Sequence, residues 1–165
     1  MSGRNSAKVF KKAVKNIQLI AYDFDGVMTN NKVVVSENGS ESVVVNRSDE
    51  LGIKRIRAMG IPQIILSSGD NAVAKVRAKK IGLEITLGCQ NKKDYLKEYC
   101  AKNNYDLKNV IYIGNDLNDI ETLKTVGYPV APFDAYPEVL KVVKYITKAK
   151  GGEGVIRELY GYFIA

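Results

Sequence analysis

The sequence predicts an α/β fold: a Rossmann-like, doubly wound parallel sheet with a β-hairpin inserted after the first strand. Three observations carry that expectation. Short apolar runs, at Ile17–Tyr22, Ile64–Leu66 and Asn109–Ile113, have the length and β-branched content of buried strands. Between them lie segments with helical apolar spacing that stop at glycine, and strands alternating with helices argue a parallel sheet covered on both faces. Polar residues follow the strands at one end, where open α/β sheets bind ligands.

Taken in order, residues 1–16 are basic, lack the apolar core of a secretory signal, and read as an N-terminal extension. Residues 17–165 read as one domain, long enough to bury a core of its own. After the first strand and Gly26, the runs Val33–Val35 and Val43–Val45 flank Ser36-Glu37-Asn38-Gly39-Ser40, the pattern of a hairpin. Leu51, Ile53, Ile56 and Met59 mark a helix over 50–59 that Gly60 ends. A strand over 62–67 leads to Ser68-Gly69-Asp70, a basic helix over 71–81 closes at Gly82, and a weaker strand spans 84–87. A helix over 92–103, a strand over 109–113 and a helix over 117–126 stopped by Gly127 follow. The remainder reads as short strands near Val130 and Tyr145, a helix over 137–144, and an apolar-aromatic helix over 155–164 after Gly151-Gly152-Glu153-Gly154.

The chain organises around the end of its first strand. Residues i and i+2 of a strand point the same way, so Asp23 and Asp25 should emerge together. Two carboxylates that close repel unless a cation lies between them or one is protonated. The other strands deliver Ser68 and Asp70, then Lys92, then Asn115, Asp116 and Asp119 to the same rim. Carboxylates that can hold Mg²⁺, with a hydroxyl and an ammonium that can hold phosphate oxygens, suit phosphoryl transfer.

Composition excludes several alternatives. There is no histidine, which removes Ser-His-Asp, Cys-His and histidine-zinc chemistry. The longest apolar runs are too short to cross a membrane, and two cysteines without a CxxC pattern fit a reduced, cytoplasmic protein. The net charge of +7 comes without an aromatic-basic motif, so a field that gathers small anionic substrates is preferred to nucleic-acid binding.

With these residues in view, the chain resembles the haloacid dehalogenase-like phosphatases. Asp23-Phe24-Asp25-Gly26-Val27 with Thr29 is similar to their first motif, Ser68-Gly69 to the second, Lys92 to the third and Gly114-Asn115-Asp116-Leu117-Asn118-Asp119 to the fourth. Neither gap between motifs can hold a cap domain, which needs more than about 50 residues. Within the superfamily, Asn46-Arg47-Ser48-Asp49, the Gly151–Glu158 stretch and the chain length resemble the capless branch acting on 3-deoxy-octulosonate 8-phosphate or nonulosonate 9-phosphate. The same sequences resemble the C-terminal domain of some acylneuraminate cytidylyltransferases. The resemblance implies a Mg²⁺-dependent phosphatase for an eight- or nine-carbon sugar acid phosphate. It also implies a homotetramer built through the hairpins, with a neighbour's C-terminal segment closing each site.

The resemblance further implies that Asp23 attacks phosphorus and ligates the metal. Asp25 would move the proton and lend its main-chain carbonyl to the metal, Ser68 and Lys92 would hold the phosphoryl oxygens, and Asp119 would order the metal shell. Two departures stand out. The fourth motif usually has aspartate directly after its glycine, where this chain has Asn115, so either Asn115 or Asp116 completes the metal set. Asp70 stands where relatives acting on octulosonates tend to have arginine and those acting on nonulosonates an acid. Arg77 and Arg157 are further candidates for the substrate, Arg157 in a neighbour's site. A second reading is a non-catalytic assembly module, motivated by Asn115. A phosphoacceptor receiver domain is set aside, because no acid follows the strand at 84–87.

Overall fold

A computed structural model describes residue 10 and residues 16–164; the rest of the N-terminal extension lies outside the described residues. The sheet is six-stranded and fully parallel: β1 (Leu19–Tyr22), β4 (Gln63–Leu66), β5 (Glu84–Thr86), β6 (Val110–Ile113), β7 (Tyr128–Ala131) and β8 (Tyr145–Ile146). Its order is β5-β4-β1-β6-β7-β8. The chain therefore winds outward in both directions from β1, and the switch lies where β1 sits between β4 and β6. β2 (Thr29–Val35) and β3 (Glu41–Val45) form a separate antiparallel hairpin.

Both faces of the sheet are covered, as the all-apolar central strands require. Alternation along β1 sends Ile20 and Tyr22 to one face and Leu19 and Ala21 to the other. The first face packs on α1 (Arg47–Ala58), α2 (Ala72–Ile81) and α6 (Val155–Ile164) through Ile53, Ile56, Ala78, Val155, Ile156 and Leu159. The second packs on α3 (Lys92–Lys102), the short α4 (Ile120–Leu123) and α5 (Pro137–Val142) through Leu96, Cys100, Leu123 and Val139. Phe10 is buried among Tyr145, Tyr162 and Phe163, an edge-on ring lying 4.7 Å from Tyr145 by centroid.

Local chemistry sets the helix starts. Asn46, Asn71 and Asn91 each accept a backbone N–H of the first turn, at Ser48, Val73 and Asp94. One expected element is corrected. The helix over 117–126 is a 3-10 turn at Leu117–Asp119 followed by one turn of α4, because Asp116 and Asp119 form a reciprocal cap that tightens the start. Among the described residues the segments between β1 and β4 and between β4 and α3 hold only the hairpin, α1, α2 and β5, so no cap domain is present.

Candidate active site

The chain leaves β1 at Asp23, whose N–H donates to the Ile113 carbonyl of β6 at 2.8 Å. Phe24 and Val27 are buried and anchor the turn in the core, while the Phe24 carbonyl accepts the N–H of Met28 at 2.9 Å. Asp23 is buried at 5% exposure and Asp25 half-buried, so the two carboxyls enter different surroundings. Gly26 has φ +79°, and a Cβ there would fall inside the Asn115 side-chain amide. The glycine of the first motif thus lets β1 and β6 ends approach as closely as they do.

Lys92 opens α3 and points inward, 1% exposed, with its ammonium 2.9 Å from Asp23 Oδ1 and 2.8 Å from Asp119 Oδ1. Adjacent Lys93 has no part in this ion cluster. A cation at a helix start opposes the helix dipole, and two carboxylates offset that cost. Asp119 is fully buried with both oxygens engaged: Oδ1 accepts from Lys92 and from the Tyr112 hydroxyl at 2.6 Å, Oδ2 from the N–H groups of Asn115 at 2.9 Å and Asp116 at 3.3 Å. Asp116 turns away to cap Leu117 N at 2.6 Å. Ser68 donates to the Cys89 carbonyl at 3.3 Å and accepts from Asn118 Nδ2 at 2.9 Å. The second and fourth motifs are thus linked directly.

Electrostatics follows from this wiring. Burial first, then Asp119, push the Asp23 carboxyl up to about 8, while Lys92 and the Phe24 N–H pull it down. Burial works against the Lys92 ammonium, but Asp23 and Asp119 together hold it above the usual lysine range. Burial raises Asp25, opposed by Thr29 and Lys92. The repulsion expected between Asp23 and Asp25 therefore falls instead between Asp23 and Asp119. Whenever Asp23 is ionised, two carboxylates face one ammonium and the cluster is short of one positive charge.

Among the described residues no three acids or cysteines gather into a metal-holding group. The fit to a divalent cation rests on a mixed oxygen set. Asn115 is 5% exposed and its Oδ1 is buried without a hydrogen-bond partner, beside a cluster short of one positive charge. A hard cation prefers such carboxylate and amide oxygens. These residues fit a divalent metal cofactor.

A cleft of about 490 Å³ opens from Asp25 and Gly69 toward the hairpin, lined also by Asn31, Lys32, Glu41 and Asp70. Asp70 is exposed on its rim. Arg77 is not in this cleft: its guanidinium faces the start of α1, 3.4 Å from the Asn46 carbonyl and 3.7 Å from Glu50. Arg157 does not line its own chain's cleft either, lying over the Tyr160 ring at 5.6 Å from its centroid. Sequence reasoning passed over Tyr112, Lys32 and Glu41. The hairpin pair carries no local signal, and Tyr112 reads as one more residue of a buried strand.

Asp23, Lys92 and Asp119 meet, Ser68 is tied to the fourth motif through Asn118, and residues 61–159 match the haloacid dehalogenase-like hydrolases. The chain belongs to that family. It is 31% identical to the 3-deoxy-D-manno-octulosonate 8-phosphate phosphatase of Escherichia coli K12, over 95% of this chain and 84% of that one. It is 30% identical to the N-acylneuraminate cytidylyltransferase of Oncorhynchus mykiss, over 86% of this chain but 34% of the other. It superimposes with a TM-score of 0.90, at 26% identity, on the Moraxella catarrhalis octulosonate 8-phosphate phosphatase in complex with magnesium, phosphate and KDO, covering 95% of this chain and 91% of that one. This haloacid dehalogenase-like hydrolase is a phosphoric monoester hydrolase. No helix among its described residues is long and apolar enough to cross a membrane.

Proposed function

We propose that the chain is a cytoplasmic, Mg²⁺-dependent phosphatase of an eight- or nine-carbon 2-keto-3-deoxy sugar acid phosphate. The observation that carries this reading is the buried Lys92 ammonium bridging Asp23 and Asp119 beside the unpartnered Asn115 oxygen. Asp23 attacks phosphorus while Asp25 gives its proton to the departing sugar oxygen, leaving an aspartyl-phosphate. Asp25 then takes a proton from water, whose oxygen attacks the same phosphorus. Inorganic phosphate leaves and the Asp23 carboxylate returns. Ser68 and Lys92 position the phosphoryl oxygens, and Lys92 also pulls the Asp23 carboxyl down against the rise that burial causes. Asp23, the Asp25 main-chain carbonyl and Asn115 would hold the cation, with Asp119 ordering them and Asp116 kept as a helix cap. When bound, the cation supplies positive charge beside the transferring oxygens.

The cleft supports the substrate class. Asp70, Glu41 and Asn31 offer acceptors to sugar hydroxyls, and Lys32 can meet a carboxylate. The relatives' octulosonate substrate supports the same reading. A second copy fits the hairpin, which exposes Val33, Val34, Val35 and Val44, an apolar patch on a two-stranded unit that is marginal alone. We read the assembly as a homotetramer, checked by light scattering; a monomer at micromolar concentration would oppose it.

The deciding assay measures phosphate release from eight- and nine-carbon 2-keto sugar acid phosphates, with and without Mg²⁺. Asp23→Asn should fold and bind but lose at least about a thousandfold in kcat, since no covalent step remains. Normal turnover by that variant would mean the nucleophile is misassigned.

A further inference from the structure

Two tyrosines lie fully buried on neighbouring strands of the sheet, and their hydroxyls serve different ends. Tyr22 of β1 faces the α1–α2–α6 layer, and Tyr112 of β6 faces the α3–α4–α5 layer. The Tyr22 hydroxyl donates to Gln63 Oε1 at 2.8 Å, and Gln63 Nε2 donates to the Ile53 carbonyl at 3.1 Å. That chain is neutral and ends in backbone. The Tyr112 hydroxyl instead donates at 2.6 Å to Asp119 Oδ1, the oxygen that also receives Lys92. A phenylalanine would fill the same apolar space, and a buried hydroxyl is costly unless it is bonded. The hydroxyl's one partner in the structure is the carboxylate beneath the active site.

We propose that Tyr112 is a positioning residue for phosphoryl transfer. This rests on the phosphatase reading above. Asp119 Oδ2 is fixed by the N–H groups of Asn115 and Asp116, and Oδ1 divides between Tyr112 and Lys92. The tyrosine hydroxyl draws off part of the charge on Oδ1 and fixes the rotation of the carboxyl. Lys92 is then shared with Asp23, 2.9 Å away, rather than captured by Asp119. Tyr112 touches no substrate; it sets where the ammonium stands when phosphate arrives.

The test compares Tyr112→Phe with Tyr22→Phe in the full chain, by melting temperature without metal and by kcat and KM on the substrate the panel assay identifies. Both variants should melt lower. Only Tyr112→Phe should lose kcat, by about tenfold with KM within about twofold, the size of one charge-assisted hydrogen bond. In an Asp119→Asn background the same change should alter kcat by less than about twofold, because its partner charge is gone. In the wild-type protein, which raises no question of folding, the Tyr112 hydroxyl proton should give a downfield resonance that moves when vanadate and Mg²⁺ are added. A kcat for Tyr112→Phe equal to wild type, an equal loss in Tyr22→Phe, full additivity with Asp119→Asn, or an unmoved resonance would each overturn the proposal. If the wild-type enzyme releases no phosphate from any substrate, the phosphatase reading fails and this inference with it. If it does and Tyr112→Phe matches it, only this inference fails.

Discussion

Asn115 at the end of β6 and Asp49 in α1 each keep a buried side-chain oxygen without a hydrogen bond, and they solve that problem differently. Asn115 is neutral and borders a cluster with one positive charge too few. Its orphaned oxygen stays available for a cation. Asp49 is ionisable and sits in the opposite layer, where Oδ1 accepts the N–H groups of Ile156 at 2.9 Å and Arg157 at 3.0 Å at the start of α6. Its second oxygen has no such ligand to wait for, so the group answers by holding its proton more tightly. Burial pushes its carboxyl up to about 6, against the amides of Arg157 and Ile156 and the Arg77 guanidinium. An unmet acceptor next to charge points to a binding site, whereas one in an apolar layer is a clamp whose strength depends on pH.

The largest effect that could break this contrast is Lys92→Met. Without the ammonium two buried carboxylates face each other, which should cost about 3–5 kcal/mol by urea unfolding and more than a hundredfold in kcat. Mg²⁺ should recover part of the stability and little of the rate. A metal-insensitive melting temperature would remove the cation from the cluster.

The Asp49 clamp predicts a smaller, pH-dependent change. Its carboxyl is raised from 3.8 to about 6 in the folded chain, so the folded state binds this proton more tightly than the unfolded state. The stability linked to it is fully present below about pH 3.8 and is lost as pH rises through 6, on the order of 3 kcal/mol in total. Asp49→Asn retains an acceptor for α6 and should flatten the wild-type slope between pH 4 and 7 without changing kcat. Equal slopes in urea titrations of the two proteins would show that Asp49 does not titrate in this window.

Asn115→Asp gives the smallest expected shift. It adds a negative charge to the site and should tighten Mg²⁺ binding about tenfold by calorimetry, about 1.4 kcal/mol, while lowering the metal-free melting temperature. Unchanged affinity would mean that Asn115 is not a ligand.

Much of this was legible in the sequence because two periodicities and four short motifs speak locally. The alternation of Leu19, Ile20, Ala21 and Tyr22 between the two faces follows from the pleat, and the glycine-ended helices follow from their caps. What escaped depends on partners distant in sequence. Spacing predicts Asp25 as the rival of Asp23 because it is two residues away, yet the opposing charge is Asp119, brought in after β6. Arg77 is a substrate candidate by sequence, but Glu50 and the Asn46 carbonyl at the start of α1 occupy its guanidinium. The broken helix at Leu117 reflects the pull of Asp119 into the cluster, a tertiary demand that propensity does not register.

Gly151 and Gly152 tie the completion of the site around Asp23 to a segment made well after it. Gly152 N–H donates to the Val27 carbonyl at 3.0 Å, and a Cβ at Gly152, itself at φ +72°, would meet Asn30 N at 2.6 Å. The loop that carries Asp23 is made before the brace behind it. A nascent chain holding only the early motifs has its aspartates but neither the β6 partners nor this brace. The surroundings of the Asp23 carboxyl are complete only when the later segment closes on the earlier one.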